Sequence, residues 1–382
     1  MTGSTAARGE GGGDSLRLAF AGGGTGGHIV PGMHLLDHVL GRGSSLADLL
    51  WFHSGRAVEE RVMHGLAERL GGTPLEKVEL AVEAGRGVPG RMRLAARTPG
   101  ATIRARRALA RHRTEVLLGL GGYTMVPAVL AARSLGIPVA LLEINASAGQ
   151  ATRVLAPLAR VVFHAWPATL PARGGARHVL SGPPVAAACA ATGRDADARA
   201  AARAALGCTP GRPVLAVFGG SQGAQGLNTF VRDHADAMLA RGVQVLHQVG
   251  PGRLAEARRT EAHYRAVEYA DDVPLWLTAA DLVLCRGGAS TLAELAATRT
   301  PAWVVPYPHH ADRHQERNAR ELGGGVRIVP EETLDAELAH ELARLLGEEG
   351  ADERARMSAA LEAVLPGDAA ERIAAGLFAL RA

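Results

Sequence analysis

The stretch Leu16–Gly32, LRLAFAGGGTGGHIVPG, decides the fold. Leu16–Ala21 is a short apolar run of the kind a buried parallel strand shows. Gly22, Gly23, Gly24, Thr25, Gly26 and Gly27 follow, then His28, then Met33, Leu35, Leu36, Val39 and Leu40 at helical spacing. The order is strand, glycine loop, helix N-terminus. Pro31 is expected in the first helical turn, where its missing N–H has no partner to lose. Glycines permit positive φ and let a ligand approach the main chain. The helix end offers unpaired N–H groups and a partial positive charge to an anion. By spacing alone a dinucleotide-binding turn or a plain tight βα connection accounts for the loop as well as a catalytic turn does. His28 separates these readings. It stands at a strand end, where an α/β fold gathers its ligands, and a dinucleotide turn has no need of it. A group-transfer enzyme that takes a proton from a hydroxyl does.

The same plan recurs along the 382 residues, a length that accommodates two domains. Leu49–His53 reads as the second strand, Ala57–Leu70 as a helix and Glu76–Val82 as a short strand. Val116–Gly119 ends in a second glycine turn carrying Tyr123, and Ile137–Leu142 ends in Glu143, Ile144 and Asn145. Val161–His164 and His178–Leu180 finish a first sheet. Three strand ends thus deliver His28, Tyr123 and Glu143 with Asn145 to one sheet edge. Ser181-Gly182-Pro183-Pro184 reads as a hinge, because two prolines stop helix and strand alike. Ala186–Ala205 is an alanine-rich helical stretch.

The second half repeats the alternation. Val214–Phe218 leads into Gly219–Ala224, whose backbone N–H groups and Ser221 suit a phosphate. Asp281–Cys285 ends in Arg286–Thr291, and a helix expected from Leu292 carries Glu294. A carboxylate there can accept two hydrogen bonds from a ribose diol, or it is a surface helix residue. Asn228 and Gln315 are candidates for sugar hydroxyls. His309, His310 and His314 with Asp312 admit a metal reading, but a sugar-binding loop fits them better, and the expectation is no metal. The expected boundaries are a disordered tail over 1–15, one Rossmann-like domain over 16–182 and a second over 183–366. A terminal helix within 367–382 is expected to pack back on the first domain.

Composition narrows the function. Charged residues make up 21% and hydrophobic ones 47%, as in a globular protein. Aromatics are only 4%, which argues against a stacking platform for nucleic acid. The net charge is +4, and Lys77 is the sole lysine, so arginine carries the basic character. Cys189, Cys208 and Cys285 lack paired spacing, which implies a reducing compartment. Residues 1–15 lack the apolar core of a signal peptide. Between Ala84 and Thr114 stand Arg86, Arg91, Arg93, Arg97, Arg104, Arg106, Arg107, Arg111 and Arg113, with no acidic residue. Val88, Met92, Leu94, Ile103 and Leu109 are interleaved. Such a segment suits an anionic membrane surface or a pyrophosphate-bearing lipid; the alternative is a solvated helix face in an arginine-rich chain.

Five segments together resemble the MurG family: GGGTGGHIVPG (22–32), GLGGYTMVPAVLAA (119–132), VFGGSQGAQGLN (217–228), VEYADDVPLWLTAADLVLCRGGASTLAEL (267–295) and PYPHHADRHQERNA (306–319). The combination is specific, although no single segment is. The resemblance implies an α/β fold of the GT-B glycosyltransferase type, two Rossmann-like domains facing a central cleft. It implies inverting transfer of N-acetylglucosamine from UDP-N-acetylglucosamine to undecaprenyl-pyrophosphate-linked muramoyl peptide, lipid I. No cofactor is implied, and the protein would sit peripherally on the cytoplasmic face of the inner membrane. Carried over by position, Thr25, Gly26 and Gly27 match the loop near the donor sugar, and His28 the proposed base, with Glu143 beside it. Ser221 and Gln222 match the phosphate turn, and Ala270 a uracil-facing backbone position. Ala289, Ser290, Thr291, Leu292 and Glu294 match the ribose and phosphate turn, and Gln315 a sugar contact. Four places depart from the pattern. Leu142-Glu143-Ile144-Asn145 replaces His-Glu-Gln-Asn, and Thr152 replaces an asparagine. Ala186 replaces the arginine of the hinge, and His314 replaces a glutamine. A related transferase with another acceptor, or a UDP-sugar-binding paralogue without turnover, are the competing readings; a nicotinamide oxidoreductase is disfavoured because GGSQGA lacks the dinucleotide spacing.

Overall fold

The computed structural model describes residues 15–381 apart from 25, 43–45, 83–86, 168, 170–176, 193–194, 258–261 and 310–311. Thr25, Arg86 and the N-terminal tail therefore lie outside the described residues. The apolar runs become strands: β1 (Leu16–Gly22), β2 (Leu46–His53), β3 (Leu75–Glu79), β4 (Val116–Gly121), β5 (Val139–Glu143), β6 (Val161–His164) and β7 (Arg177–Leu180). The second half supplies β8 (Val214–Phe218), β9 (Gln244–Gln248), β10 (Tyr264–Val267), β11 (Leu282–Cys285), β12 (Ala302–Val304) and β13 (Val326–Ile328). Among the described residues they form two sheets, ordered β3-β2-β1-β4-β5-β6-β7 and β10-β9-β8-β11-β12-β13. The strand pairs are parallel. The order reverses beside β1 and β4 in the first sheet and beside β8 and β11 in the second. Those reversals open crevices at the strands' C-terminal ends.

Five helices matter below: α1 (Gly26–Gly41), α2 (Gly87–Arg111), α3 (Ala289–Thr298), α4 (His314–Arg320) and α5 (Ala369–Phe378). On α1, Ile29, Met33 and Leu36 are buried at spacings of four and three, one stripe of the helix. Gly32 lets α1 sit on the sheet, since a Cβ there would meet Leu120 Cδ1 at 2.6 Å. On α5, Ile373 and Leu377 join the core, and Gly376 lies against the Phe163 ring of β6. The terminal helix thus rests on the first sheet, and Arg42 of the residue run after α1 pairs with Glu371 at 2.8 Å. Each fully buried leucine or phenylalanine in these layers contributes roughly 1.5–3 kcal/mol by leaving water.

Three local expectations are corrected. The helix after the first glycine loop begins at Gly26, so His28 is its third residue and Pro31 falls in its second turn. Pro31 therefore cannot donate to the Gly27 carbonyl. The expected helix over Ala57–Leu70 is two short ones, Ala57–Val62 and Leu66–Arg69, divided where Gly65 takes φ 72°. Ala186–Ala205 likewise divides into Ala187–Thr192 and Ala196–Ala205, with Asp195 capping the second by accepting from Asp197 N–H. The arginine segment is helical as α2, with Pro99 inside it.

Candidate active site

The two crevices face one another, and two cavities fill the space between the sheets. One, of about 790 Å³, is lined by Gly23, Gly24, His28, Arg56, Gly121, Gly122, Tyr123, Glu143, Asn145 and Thr152. The other, of about 560 Å³, is lined by Gly26, Gly27, His28, Ile144, Asn145, Ser221, Gln222, Ala270, Ala289, Ser290, Thr291, Glu294, His314 and Gln315. His28 lines both. The glycine loop of the first half also reaches the phosphate turn of the second: a Cβ on Gly26 would lie 3.6 Å from Ser221 Cβ.

Backbone geometry places the His28 ring. Gly121 has φ 117°, and a Cβ there would strike His28 Cδ2 at 2.6 Å; Gly122 has φ 76°, and its Cβ would lie 2.4 Å from the Gly23 carbonyl. Both glycines are required by this packing. His28 Nδ1 stands 2.9 Å from the Gly23 carbonyl oxygen. A carbonyl only accepts, so Nδ1 carries the proton and the basic lone pair is on Nε2. Burial lowers the His28 pKa, outweighing the Gly23 carbonyl and the Glu143 and Glu59 charges. The imidazole is therefore neutral at physiological pH, the form a general base needs.

Glu143 is buried and occupied by its own loop. Its Oε1 accepts from Asn145 N and Nδ2, both at 3.1 Å, and its Oε2 accepts from Gly149 N at 3.0 Å. It shapes the loop over 144–149. Tyr123 Oη donates to Gln150 Oε1 at 3.0 Å on the rim of the larger cavity.

Glu59, unread in the sequence, organises the floor. It is fully buried. It accepts from the N–H groups of Gly24, Ser54, Gly55 and Arg56 and from Ser54 Oγ, the last at 2.6 Å. Burial alone would raise its pKa; His53, Ser54, Gly24 and Arg56 overcome that and hold it down to about 2. Arg56 Nη1 closes the loop by donating to the Gly24 carbonyl at 2.8 Å. The legible signal was an acid as third residue of a helix after a turn, reaching back to the cap residue's N–H.

On the other wall, α3 points its N-terminus at the smaller cavity. No side chain caps it, and Ala289, Ser290 and Thr291 line the cavity. Ser290 Oγ is buried without a hydrogen-bond partner. Glu294, one turn in, is 5% exposed, and burial pushes its pKa up to about 8. His34 of α1 faces it, Nε2 to Oε1 3.9 Å, while His34 Nδ1 lies 3.3 Å from the Pro184 carbonyl. Gln315 Oε1 accepts from Tyr307 N at 2.8 Å, which leaves its amide N–H groups for the cavity.

Two expected contacts fail. Asn228 is buried away from both cavities; its Nδ2 donates to the Val249 carbonyl at 2.9 Å, and its Oδ1 lies 3.1 Å from His247 Nε2. It braces β9 against its own helix. Leu292 is fully buried in the core, and its N–H bonds the Gly288 carbonyl at 3.0 Å. The expected start at Leu292 was three residues late, because the helix begins at Ala289. Among the described residues, no group of three or more His, Cys, Asp or Glu side chains is gathered as a metal site. No described helix is long and apolar enough to cross a membrane.

This geometry has counterparts. The glycosyltransferase family 28 N-terminal domain matches residues 18–164, and the family 28 C-terminal domain matches residues 214–372. The fold and site thus define a glycosyltransferase of the GT-B type. A protein from Sorangium cellulosum named UDP-N-acetylglucosamine--N-acetylmuramyl-(pentapeptide) pyrophosphoryl-undecaprenol N-acetylglucosamine transferase is 39% identical, covering 96% of this chain and 88% of its own. One of the same name from Frankia casuarinae is 38% identical over 84% of each chain. The crystal structure of Acinetobacter baumannii MurG superposes with a TM-score of 0.68 at 25% identity, over 95% of this chain and 99% of that one. The chain belongs to the MurG family of N-acetylglucosaminyltransferases.

Proposed function

We propose that this chain transfers N-acetylglucosamine from UDP-N-acetylglucosamine to the muramoyl 4-hydroxyl of lipid I, inverting the anomeric centre. The observation that carries the reading is His28 on the wall shared by the two cavities. The larger cavity takes the acceptor sugar and the smaller one the donor. His28 Nε2 receives the hydroxyl proton as the oxygen attacks the anomeric carbon, and the bond to the UDP oxygen breaks. The departing diphosphate meets the Gly219–Gln222 turn and the N–H groups at the start of α3. Glu294 and Gln315 hold the ribose and the sugar. The relatives' names supply the two substrates, and the site supports the transfer. Leu142, where the family has a histidine, is 1% exposed in the apolar core. Leu142 therefore does not face either cavity, and Glu143 and Asn145, which do, are kept; this supports an active enzyme over a silent paralogue.

The membrane reading rests on α2. Met92 and Ile103 are 68% and 54% exposed on it, with Arg93, Arg97, Arg104 and Arg107 also exposed. Apolar tips among cations suit an anionic bilayer surface, and this supports a peripheral attachment to the membrane that carries the lipid acceptor. Isomer analysis of the product tests the reaction: a β-1,4-linked disaccharide is expected, and an α-linked or acceptor-free product contradicts it.

The Glu294 environment yields a prediction on donor binding. With a pKa of about 8, the carboxyl is mostly protonated at neutral pH before UDP arrives. Two ribose hydroxyls donating to it favour the anion, so its pKa falls on binding. UDP binding at neutral pH then releases up to roughly one proton, and affinity rises with pH until the free carboxyl is ionised. Calorimetry in buffers of different ionisation enthalpy measures this directly. E294Q abolishes the release; a buffer-independent wild-type enthalpy would remove the assignment.

A further inference from the structure

We infer that Asn318 is a positioning residue that registers the acceptor-side loop against the donor-side turn. The inference deepens the proposed reaction and rests on it for the assignment of the two half-sites. Asn318 lies on α4 in the second half and is fully buried. Its Nδ2 donates to Asn145 Oδ1 and to the Gly287 carbonyl, each at 3.2 Å. Its Oδ1 accepts from Ala146 N–H at 2.7 Å. Both amide hydrogens and the carbonyl oxygen are therefore engaged, two bonds in the first half and one in the second.

Each partner leads to a half-site. Asn145 is bonded in turn to Glu143, so the bridge reaches the carboxylate that shapes the loop over 144–149. Gly287 precedes α3, whose N-terminus faces the donor cavity, and it is wedged so tightly that a Cβ would lie 2.4 Å from the Gln315 carbonyl oxygen. A small shift of the donor turn is thus passed to Asn318, and from it to the acceptor loop. An exposed contact runs parallel, Arg317 Nη1 to Ser147 Oγ at 3.1 Å. The buried amide is the specific part. A carboxylate at this position keeps the volume and the bond to Ala146 but turns an oxygen toward two acceptors, Asn145 Oδ1 and the Gly287 carbonyl.

The function of a positioning residue is alignment of reacting atoms, where a misplacement of about 1 Å costs on the order of 100-fold in rate. In N318D, kcat with acceptor is expected to fall about 100-fold, while the UDP dissociation constant moves less than about threefold. A merely structural role would weaken UDP binding along with turnover, and that result overturns the inference, as does unchanged turnover. If N318D does not fold, N145A breaks the same contact from the other side. An N145A/N318A double variant no slower than the worse single one supports a shared bridge, and full additivity overturns it. The wild-type transfer assay fails first if the reaction itself is misassigned. In that case hydrogen exchange of the 144–149 amides, with and without UDP, still decides. UDP-dependent protection present in the wild type and lost in N318D supports the bridge; equal behaviour in the two proteins, or no response to UDP in either, overturns it.

Discussion

Replacing His28 with alanine lowers turnover by about 10²–10⁴-fold, the range for loss of a general base. UDP affinity should change little, because the base acts at the acceptor hydroxyl and UDP can bind without it. The Gly23 carbonyl 2.9 Å from Nδ1 fixes which nitrogen is basic, and burial lowers the pKa. A base must be unprotonated, so wild-type kcat should be level at neutral pH and fall only as pH drops through a value below the ordinary histidine range. Measuring kcat against pH for the wild type and H28A checks both features. H28A turnover within a few-fold of wild type would remove His28 from the chemistry.

Replacing Glu59 should destabilise the first half of the chain by about 3–5 kcal/mol, the range for breaking a buried charged network. Four backbone N–H groups and one hydroxyl converge on this carboxylate. Alanine leaves those donors buried without an acceptor. Glutamine is no rescue, since half of its amide is a donor facing donors. E59A and E59Q should each lower the melting temperature by on the order of 10 °C. The Gly24 N–H bond goes with them, so turnover falls too. The pH sign follows from the depressed pKa of about 2. The stabilisation is complete above the ordinary glutamate value and is lost as pH falls from there toward that lowered one. Thermal unfolding of wild type and E59Q between neutral and acidic pH reads this directly: the gap between them should narrow in acid. An unchanged melting temperature in E59Q would contradict the role.

Much of the site was legible because parallel strands buried on both faces read as plain apolar runs, each ending in glycine or a polar group. Leu16–Ala21, Val116–Gly119 and Val214–Phe218 announced the strands next to the crevices, and His28, Ser221 and Glu294 follow such ends. What could not be read depends on partners distant in the chain. Glu59 is 35 residues from Gly24, and Asn318 is 173 from Asn145. No local pattern reveals that either is buried or bridged. Asn228 misled for the converse reason: it follows a glycine turn, yet α-helical rotation turns it inward to His247. The break at Gly65 was hidden because Val58, Val62, Leu66 and Leu70 keep helical spacing across it, while one residue at φ 72° redirects the chain.

In the proposed reaction His28 joins a donor cavity to an acceptor cavity for a single displacement. Its most direct measurement is UDP release from UDP-N-acetylglucosamine, with and without a soluble lipid I analogue. Release should depend on the acceptor, with one β-1,4-linked disaccharide formed per UDP. UDP-N-acetylglucosamine binding without acceptor-dependent release would contradict it.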